Sequence, residues 1–270
     1  MNRLWNKQIA LPSDHGSWVF LLSPLIIGIF AGGKLTGAHG WLILSALAVF
    51  MLRQPASMLV KSLSGRRSRS LTTAALFWLG FYGLVCLGGI AGLAAQQASY
   101  ILWLALPGAV VFGWHLWLVS IRQERRQMGV DILGAGALSL AAPAAYWIAA
   151  GGTDPTGWWL WGLTWLQSAA SIVYAFLRLD QRVLNETPTR GERWQMARRA
   201  LLYSGFNLGL TLVGSAASWL PAWIWTPYLL QFIEVVWGTL NPAVGWKPTR
   251  VGFRQLAVSS LFTVLFVLVW

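Results

Sequence analysis

Glu234 is the one acidic residue that lies well inside an apolar segment of this 270-residue chain. Burying a carboxylate in apolar surroundings is costly, so such a group is usually retained where it faces a cavity or a charged partner. Gln231 and Asn241 lie three residues before and seven after Glu234, which places all three on one helical face. We therefore take Glu234 as a candidate base or cation-stabilising group, and Asn241 as a candidate ligand-binding residue.

Polar residues follow helical spacing on three other apolar segments. They are Gln167, Ser171, Tyr174 and Arg178 on one segment, Ser204, Asn207, Thr211, Ser215 and Ser218 on the next, and His115, two helical turns before Arg122, on an earlier one. If these faces point at one another, they line a polar cavity in which Tyr174, Asn207 and His115 contact a ligand. The alternative is that these groups only form hydrogen bonds that hold the helices together.

Arginines accumulate beside the ends of these polar faces. Arg53, Arg122, Arg125 and Arg178 are the candidate ligand-binding members. The guanidinium fork binds phosphate through two parallel hydrogen bonds. An anionic lipid or isoprenoid is therefore the expected partner, with its phosphate or diphosphate among the arginines and its tail between helices. The alternative is that the arginines only orient the chain and contact the anionic leaflet.

The composition is that of an integral membrane protein. Hydrophobic residues make up 56% of the chain, charged residues only 10%, and the mean hydropathy is +0.57. The net charge of +12 would suggest a nucleic-acid partner in a soluble protein. Here the basic residues lie in short loops beside apolar segments, so we expect no nucleic acid to bind.

Nine apolar segments predict an all-α fold, a polytopic transmembrane bundle of about nine helices in which residues 1–270 form one domain. The segments run 18–33, 38–52, 71–93, 100–120, 132–150, 158–177, 200–219, 222–240 and 256–270. The first two are short for a span of roughly 20 residues, so they either cross the membrane or form a re-entrant pair. We expect the second to continue as helix past Arg53.

The basic residues predict the orientation of the bundle. Nineteen of the 20 Lys and Arg residues fall in the N-terminal arm and in every second gap between segments, and Lys34 is the exception. Positively charged loops resist translocation. We therefore expect the N-terminus and the basic loops in the cytoplasm, and Trp270 outside.

The segment Pro12 to Trp18 precedes the first apolar segment and contains Asp14 and His15. With Pro24 and Gly28 it resembles the opening signature of the YwiC-like family of bacterial membrane proteins, although Asp14 stands where that family has Glu. The run 122–126, leading into a helix rich in small residues at 134–146, extends the resemblance. The resemblance implies a bacterial inner membrane protein, and it adds Asp14, His15 and Trp18 to the candidate site.

YwiC-like proteins look like distant relatives of the UbiA-type prenyltransferases. That likeness implies a UbiA-like nine-helix bundle with a cytoplasmic-side cavity for a prenyl diphosphate. UbiA-type enzymes hold magnesium with two aspartate-rich motifs, but here the loop 53–70 has no acidic residue. The loop after the sixth segment offers Asp180, Glu186 and Glu192, of which Asp180 is a candidate ligand contact. The usual metal site is therefore missing.

Three classes of function remain open at this point. In the first, arginines clamp a lipid phosphate, and Asp14, His15 or Glu234 acts in a transfer that needs no bound metal. In the second, the protein binds a lipid, quinone or pigment without altering it. His15 and His115 are the residues that could ligate a haem or chlorin, but they lie in separate helices and lack the spacing of such a motif. In the third it is a transporter, although no paired broken helices are found.

The orientation is tested with reporter fusions. We expect a periplasm-active reporter fused after Trp270 to be active, and an impermeant thiol reagent added outside to leave a cysteine placed at Arg122 unlabelled. A cysteine placed at Lys34 serves as the outward-facing control. A cytosolic Trp270, or an Arg122 turn labelled from outside, would contradict the predicted orientation.

Overall fold

The computed structural model describes residues 7–11, 15–65, 71–123 and 127–270, and this part of the chain is helical and contains no strand. Its helices are α1 Lys7–Ala10, α2 Val19–Gly32, α3 Gly37–Leu63, α4 Thr72–Ala95, α5 Ala105–Ser120, α6 Met128–Ser139, α7 Ala141–Ala150, α8 Pro155–Gln181, α9 Arg190–Ala216, α10 Trp225–Leu240 and α11 Pro248–Val269. Short 3-10 turns at His15–Trp18 and Ser99–Leu104 precede α2 and α5.

Each of the nine predicted segments is helical, so the all-α membrane bundle is confirmed. Six helical stretches within the described residues are long and apolar enough to cross a membrane: Gly37–Leu63, Thr72–Ala95, Ser99–Ser120, Met128–Ala150, Pro155–Gln181 and Pro248–Val269. The protein is therefore a multi-pass membrane protein. α2 is a shorter apolar helix, and α3 continues past Arg53 as expected.

Several helices begin earlier than the apolar pattern predicts. α9 begins at Arg190 rather than at residue 200, because Thr189 and Glu192 form a reciprocal capping box ahead of its first turn. α11 begins at Pro248 rather than at residue 256, because proline suits the first position of a helix. Hydropathy detects only the apolar part of such a helix, so the charged first turns are missed.

The fifth segment is divided between α6 and α7 at Leu140. Pro143 is the third residue of α7 and has no N–H to donate to a carbonyl of the preceding turn. The helical hydrogen bonding is therefore interrupted where α6 ends and α7 begins.

The turns of the bundle collect at two ends. At one end Arg182 Nε donates a hydrogen bond to Trp246 O at 3.3 Å, and Arg193 Nη1 donates one to Leu240 O at 2.9 Å. The first contact joins the α8–α9 loop to the α10–α11 loop, and the second joins the start of α9 to the end of α10, so segments expected on the same side of the membrane meet here. Likewise Ile9 of α1 packs with Ala74 at the start of α4.

His39 ties the opposite end together. Its Nδ1 accepts a hydrogen bond from the Thr36 N–H at 3.0 Å, and its Nε2 lies 3.0 Å from Ala145 O. Because a carbonyl oxygen only accepts, Nε2 carries the proton, and the ring is held in one neutral tautomer. This fully buried histidine caps α3 and attaches it to α7.

α2 lies in the middle of the bundle, in contact with α6, α7, α8 and α11. Gly28 and Gly32 face α7, and a Cβ at Gly28 would overlap the backbone of Ala142, whereas one at Gly32 would overlap the Cβ of Ala149. The spacing of four residues between Gly28 and Gly32 is the small-x-x-x-small pattern that lets two helix backbones approach closely.

We expect Gly28→Ala to lower the free energy of unfolding by roughly 1–3 kcal/mol, because backbone atoms of Ala142 must move to admit the methyl group. The matched control is Gly80→Ala in α4, where nothing lies within 4 Å of the added atom. That control should stay within about 1 kcal/mol of the parent or gain stability through helix propensity. Thermal unfolding in detergent measures both, and equal effects would contradict close α2–α7 packing.

Candidate functional site

The polar face predicted on α8 is buried. Gln167, Ser171, Tyr174 and Arg178 are all at most 5% exposed, and they face α10 and α11. Ser171 Oγ donates to Gln255 Oε1 at 3.1 Å, and Gln231 Nε2 donates to Gln167 O at 2.9 Å. Polar groups of α8 and α10 therefore meet as the helical spacing predicted, and α11 adds a third side.

Glu234 lies at the centre of this meeting point. Its carboxylate accepts hydrogen bonds from Arg254 Nε at 2.5 Å and Arg254 Nη2 at 2.7 Å, one on each oxygen. Tyr174 Oη donates a third at 2.9 Å. The two-pronged pairing is the strong geometry of arginine and carboxylate. The charge expected to face a cavity or partner therefore has a partner on α11.

Arg178 is buried, with only 1% of its surface exposed. Its Nη1 donates to Gly238 O at 2.8 Å, to Asn241 O at 2.7 Å and to Gln181 Oε1 at 2.9 Å. The last carbonyls of a helix carry partial negative charge and have no partner within the helix. Arg178 therefore caps the C-terminus of α10 from α8.

Aromatic rings surround the two arginines. The guanidinium of Arg178 lies 4.7 Å from the ring centre of Trp246 and 5.6 Å from that of Trp237, and Arg254 lies 3.6 Å from the Trp237 ring. Rings at these distances attract a cation through their negative faces. Trp237 is thus shared by the two arginines.

Gly238 makes room for this arrangement. A Cβ at this position would overlap the hydroxyl and ring of Tyr174. The absent side chain lets the tyrosine reach Glu234, while the carbonyl of the same glycine accepts from Arg178.

The contacts just described form one group of residues, which we call the Glu234 cluster: Tyr174, Arg178, Glu234, Asn241 and Arg254. An open groove of about 840 Å³ adjoins this cluster at the start of α11. Its lining carries three cations, Lys247, Arg250 and Arg254, together with the rings of Trp246 and Phe253. Arg250 stacks on Trp246 at 3.9 Å from the ring centre. Phe253 is 67% exposed, so this groove, which we call the α11 groove, combines positive charge with an uncovered apolar surface.

Four of the predicted site residues belong to this cluster: Glu234, Tyr174, Arg178 and Asn241. Asn241 takes part through its backbone carbonyl, because its side-chain Nδ2 donates to Trp237 O at 3.0 Å. Asp180, although on the same helix as Arg178, is exposed. Asn207 donates to Leu166 O at 2.8 Å and so fastens α9 to α8.

Trp18 and Arg53 lie together at another place. The Trp18 ring centre is 5.2 Å from that of Phe50, and the Arg53 guanidinium is 5.4 Å from the same Phe50 ring. His115 is half-buried on α5, which packs against α3 and α6. Arg122 is exposed in the left-handed conformation (φ 65°) that ends α5. Asp14, Arg125 and the side chain of His15 lie outside the described residues.

Arg254 and Trp237 were missed as site residues by the sequence reasoning. The signal was available: Lys247 and Pro248 mark a helix start, and a helix that begins there carries Arg250 and Arg254 on one face, four residues apart. Counting these arginines as loop residues concealed that face. Nothing in the hydropathy marked Trp237 as the ring that contacts two arginines.

The cluster contains one acid. Across the parts of the chain that are described, no three His, Cys, Asp or Glu side chains come together to hold a metal ion. The positive charges of the α11 groove belong to Lys247, Arg250 and Arg254, so an anionic group in the groove would contact these side chains.

Comparisons with known proteins agree with the resemblance noted in the sequence. A family model described as "YwiC-like protein" matches residues 11–146. The chain is 21% identical over 235 residues to "Uncharacterized protein YwiC" of Bacillus subtilis (strain 168), an alignment that covers 84% of this chain and 92% of that protein. No solved structure matches the chain. The family match ends within α7, so the Glu234 cluster lies after it.

We expect Glu234→Gln to lower the free energy of unfolding by about 2 kcal/mol, because the amide accepts only one of the two arginine hydrogen bonds. Arg254→Gln should cost a similar amount, since it leaves the carboxylate with Tyr174 alone. The double variant should lose less than the sum of the two singles. Thermal unfolding of the four proteins completes the cycle, and strict additivity would contradict the pairing.

Proposed function

The chain belongs to the YwiC-like protein family, and we propose that it binds the phosphate-bearing headgroup of an anionic lipid in the α11 groove. The observation that carries this proposal is the groove itself, about 840 Å³ lined by Lys247, Arg250, Arg254 and two aromatic rings. In the proposed complex the phosphate lies among the cations, and the glycerol or isoprenoid part lies against Phe253.

The charge balance of the groove favours an anion. Its lining has three cations, and Glu234 compensates one of them through Arg254, which leaves two positive charges facing the opening. Arg250 and Lys247 are both exposed, so their hydrogen-bond donors can reach a ligand. A cation near an anionic membrane surface contributes about 1 kcal/mol to binding.

The position of the groove favours a lipid over a soluble anion. The groove opens at the start of α11, an apolar helix long enough to span a membrane, beside a loop that the positive-inside rule assigns to the cytoplasm. We propose that this end faces the cytoplasmic leaflet of the bacterial inner membrane. Trp246 adds the amphipathic side chain that is typical of the headgroup region.

The contacts of the buried cluster favour binding without chemical transfer. The Glu234 carboxylate accepts two hydrogen bonds from Arg254 and one from Tyr174, so most of its acceptor sites hold helices together rather than face a substrate proton. Arg178 Nη1 contacts three protein oxygens, and its Nη2, which has no hydrogen-bond partner among the described residues, is buried with the rest of the side chain. The enclosed space beside Glu234 measures about 10 Å³, too small for an isoprenoid tail, which supports a ligand at the surface of the bundle.

The proposal is tested by native mass spectrometry of the purified protein with phosphatidylglycerol or phosphatidylcholine. We expect phosphatidylglycerol to bind preferentially, and Arg250→Gln and Lys247→Gln each to weaken it roughly fivefold, the equivalent of about 1 kcal/mol per charge. The matched control is Lys34→Gln, because Lys34 lies at the opposite end of the bundle, near Thr36. It should bind phosphatidylglycerol as the parent does.

Two further experiments test whether the bound phosphate belongs to a lipid or to a soluble anion, and whether the protein cleaves a diphosphate. Inorganic phosphate at matched ionic strength should not compete with the lipid, and competition would indicate a soluble anion as the ligand. Labelled prenyl diphosphate with magnesium should release no diphosphate, and release would indicate a transferase. Equal binding of the two phospholipids, or an equal loss in the Lys34 variant, would contradict the proposed site.

A further inference from the structure

A small and largely enclosed cavity lies between α8, α10 and α11, on the inner side of the Glu234 cluster. About 10 Å³ of it is open to the centre of a water molecule, which is about the minimum needed to admit one water. Gln167, Ser171, Gln231, Glu234 and Gln255 contribute polar side chains to its lining, and Val258 and Phe262 contribute apolar ones. The cavity is separate from the α11 groove, so the inference drawn from it does not depend on lipid binding.

Two buried atoms of this lining have no protein partner, Gln231 Oε1 and Gln255 Nε2. The first is an acceptor and the second is a donor. Each amide is already held at its other end, since Gln231 Nε2 donates to Gln167 O and Gln255 Oε1 accepts from Ser171 Oγ. Turning the Gln231 amide would set its oxygen against the Gln167 carbonyl, so Gln231 Oε1 stays open to the cavity. Gln255 Oε1 accepts from Ser171 Oγ, which leaves Gln255 Nε2 as the open donor. A buried polar atom left unpaired costs about 1–3 kcal/mol, so both atoms call for a ligand.

We propose that this cavity is a binding site for one internal water molecule, which donates to Gln231 Oε1 and accepts from Gln255 Nε2. The two hydrogen bonds join α10 to α11, and the hydrogen bonds that hold the amides join both helices to α8. Internal waters typically make about three hydrogen bonds, and the Glu234 carboxylate and the Tyr174 hydroxyl line the same cavity. The water therefore hydrates the side of the Glu234 cluster that faces away from the groove.

The donors in the lining favour water over a metal cation. A sodium ion needs oxygen atoms around it, whereas Gln255 presents an N–H group to this space. The carboxylate that could attract a cation is already neutralised by Arg254. Water satisfies a donor and an acceptor at once, and it does so without adding charge to the interior.

The test is a structure of the full chain in lipid nanodiscs, at a resolution that shows other ordered waters, for the parent and for Gln255→Met. Methionine has nearly the shape of glutamine but lacks the donor. We expect one density peak within hydrogen-bond distance of Gln231 Oε1 and Gln255 Nε2 in the parent, and its loss in the variant. Direct contact between the two amides, or no peak in the parent, would overturn the proposal.

Thermal unfolding gives an independent measurement. Gln231→Met and Gln255→Met should each lower the melting temperature, and the double variant should melt higher than the sum of the two shifts predicts, since both amide atoms that hold the water are then gone. The matched control is Gln195→Met, an exposed glutamine on α9, which should leave the melting temperature unchanged. Stabilisation of the parent by sodium chloride but not by N-methylglucamine chloride would overturn the proposal in favour of a cation.

Discussion

Arg178 carries a permanent positive charge into the interior of the bundle, where water does not compensate it. The compensation comes from the carbonyls at the C-terminus of α10 and from the faces of Tyr174, Trp237 and Trp246. Since these groups belong to three segments, α8, α10 and the loop that follows α10 are held in one geometry. The position of α11, and with it the groove, depends on that loop.

The Glu234–Arg254 pair likewise compensates a buried charge, and it links α10 to α11 beside the groove. A lone carboxylate among apolar helices would be costly, and without the pair the first part of α11, which carries Arg254, would lose this attachment to α10. Together they attach the two helices and place a guanidinium at the wall of the groove. The carboxylate is thereby used in structure, which is the physical reason for proposing a binding role here rather than acid–base chemistry.

The opposite end of the bundle uses neutral contacts. Gly28 and Gly32 let α2 approach α7, and His39 connects the start of α3 to Ala145 in the middle of α7 through one tautomer. These two contacts need no charged group, because close backbone packing and paired hydrogen bonds satisfy the polar groups. The charged cluster is therefore confined to the end of the bundle where the basic loops gather.

The sequence by itself determined the all-α membrane bundle, the places of its nine helical segments and the polar face of α8, because hydropathy and helical spacing are local properties. It also marked Glu234, Tyr174, Arg178 and Asn241. Only the tertiary structure decided that Arg254 is the partner of Glu234 and that Arg178 caps α10. It also placed Trp18 and Arg53 on Phe50, away from the cluster. The physical reason is that a partner across two helices depends on where each helix begins and how it is rotated, and these are set by capping residues, close packing and the pairing of charges rather than by the hydropathy of either segment.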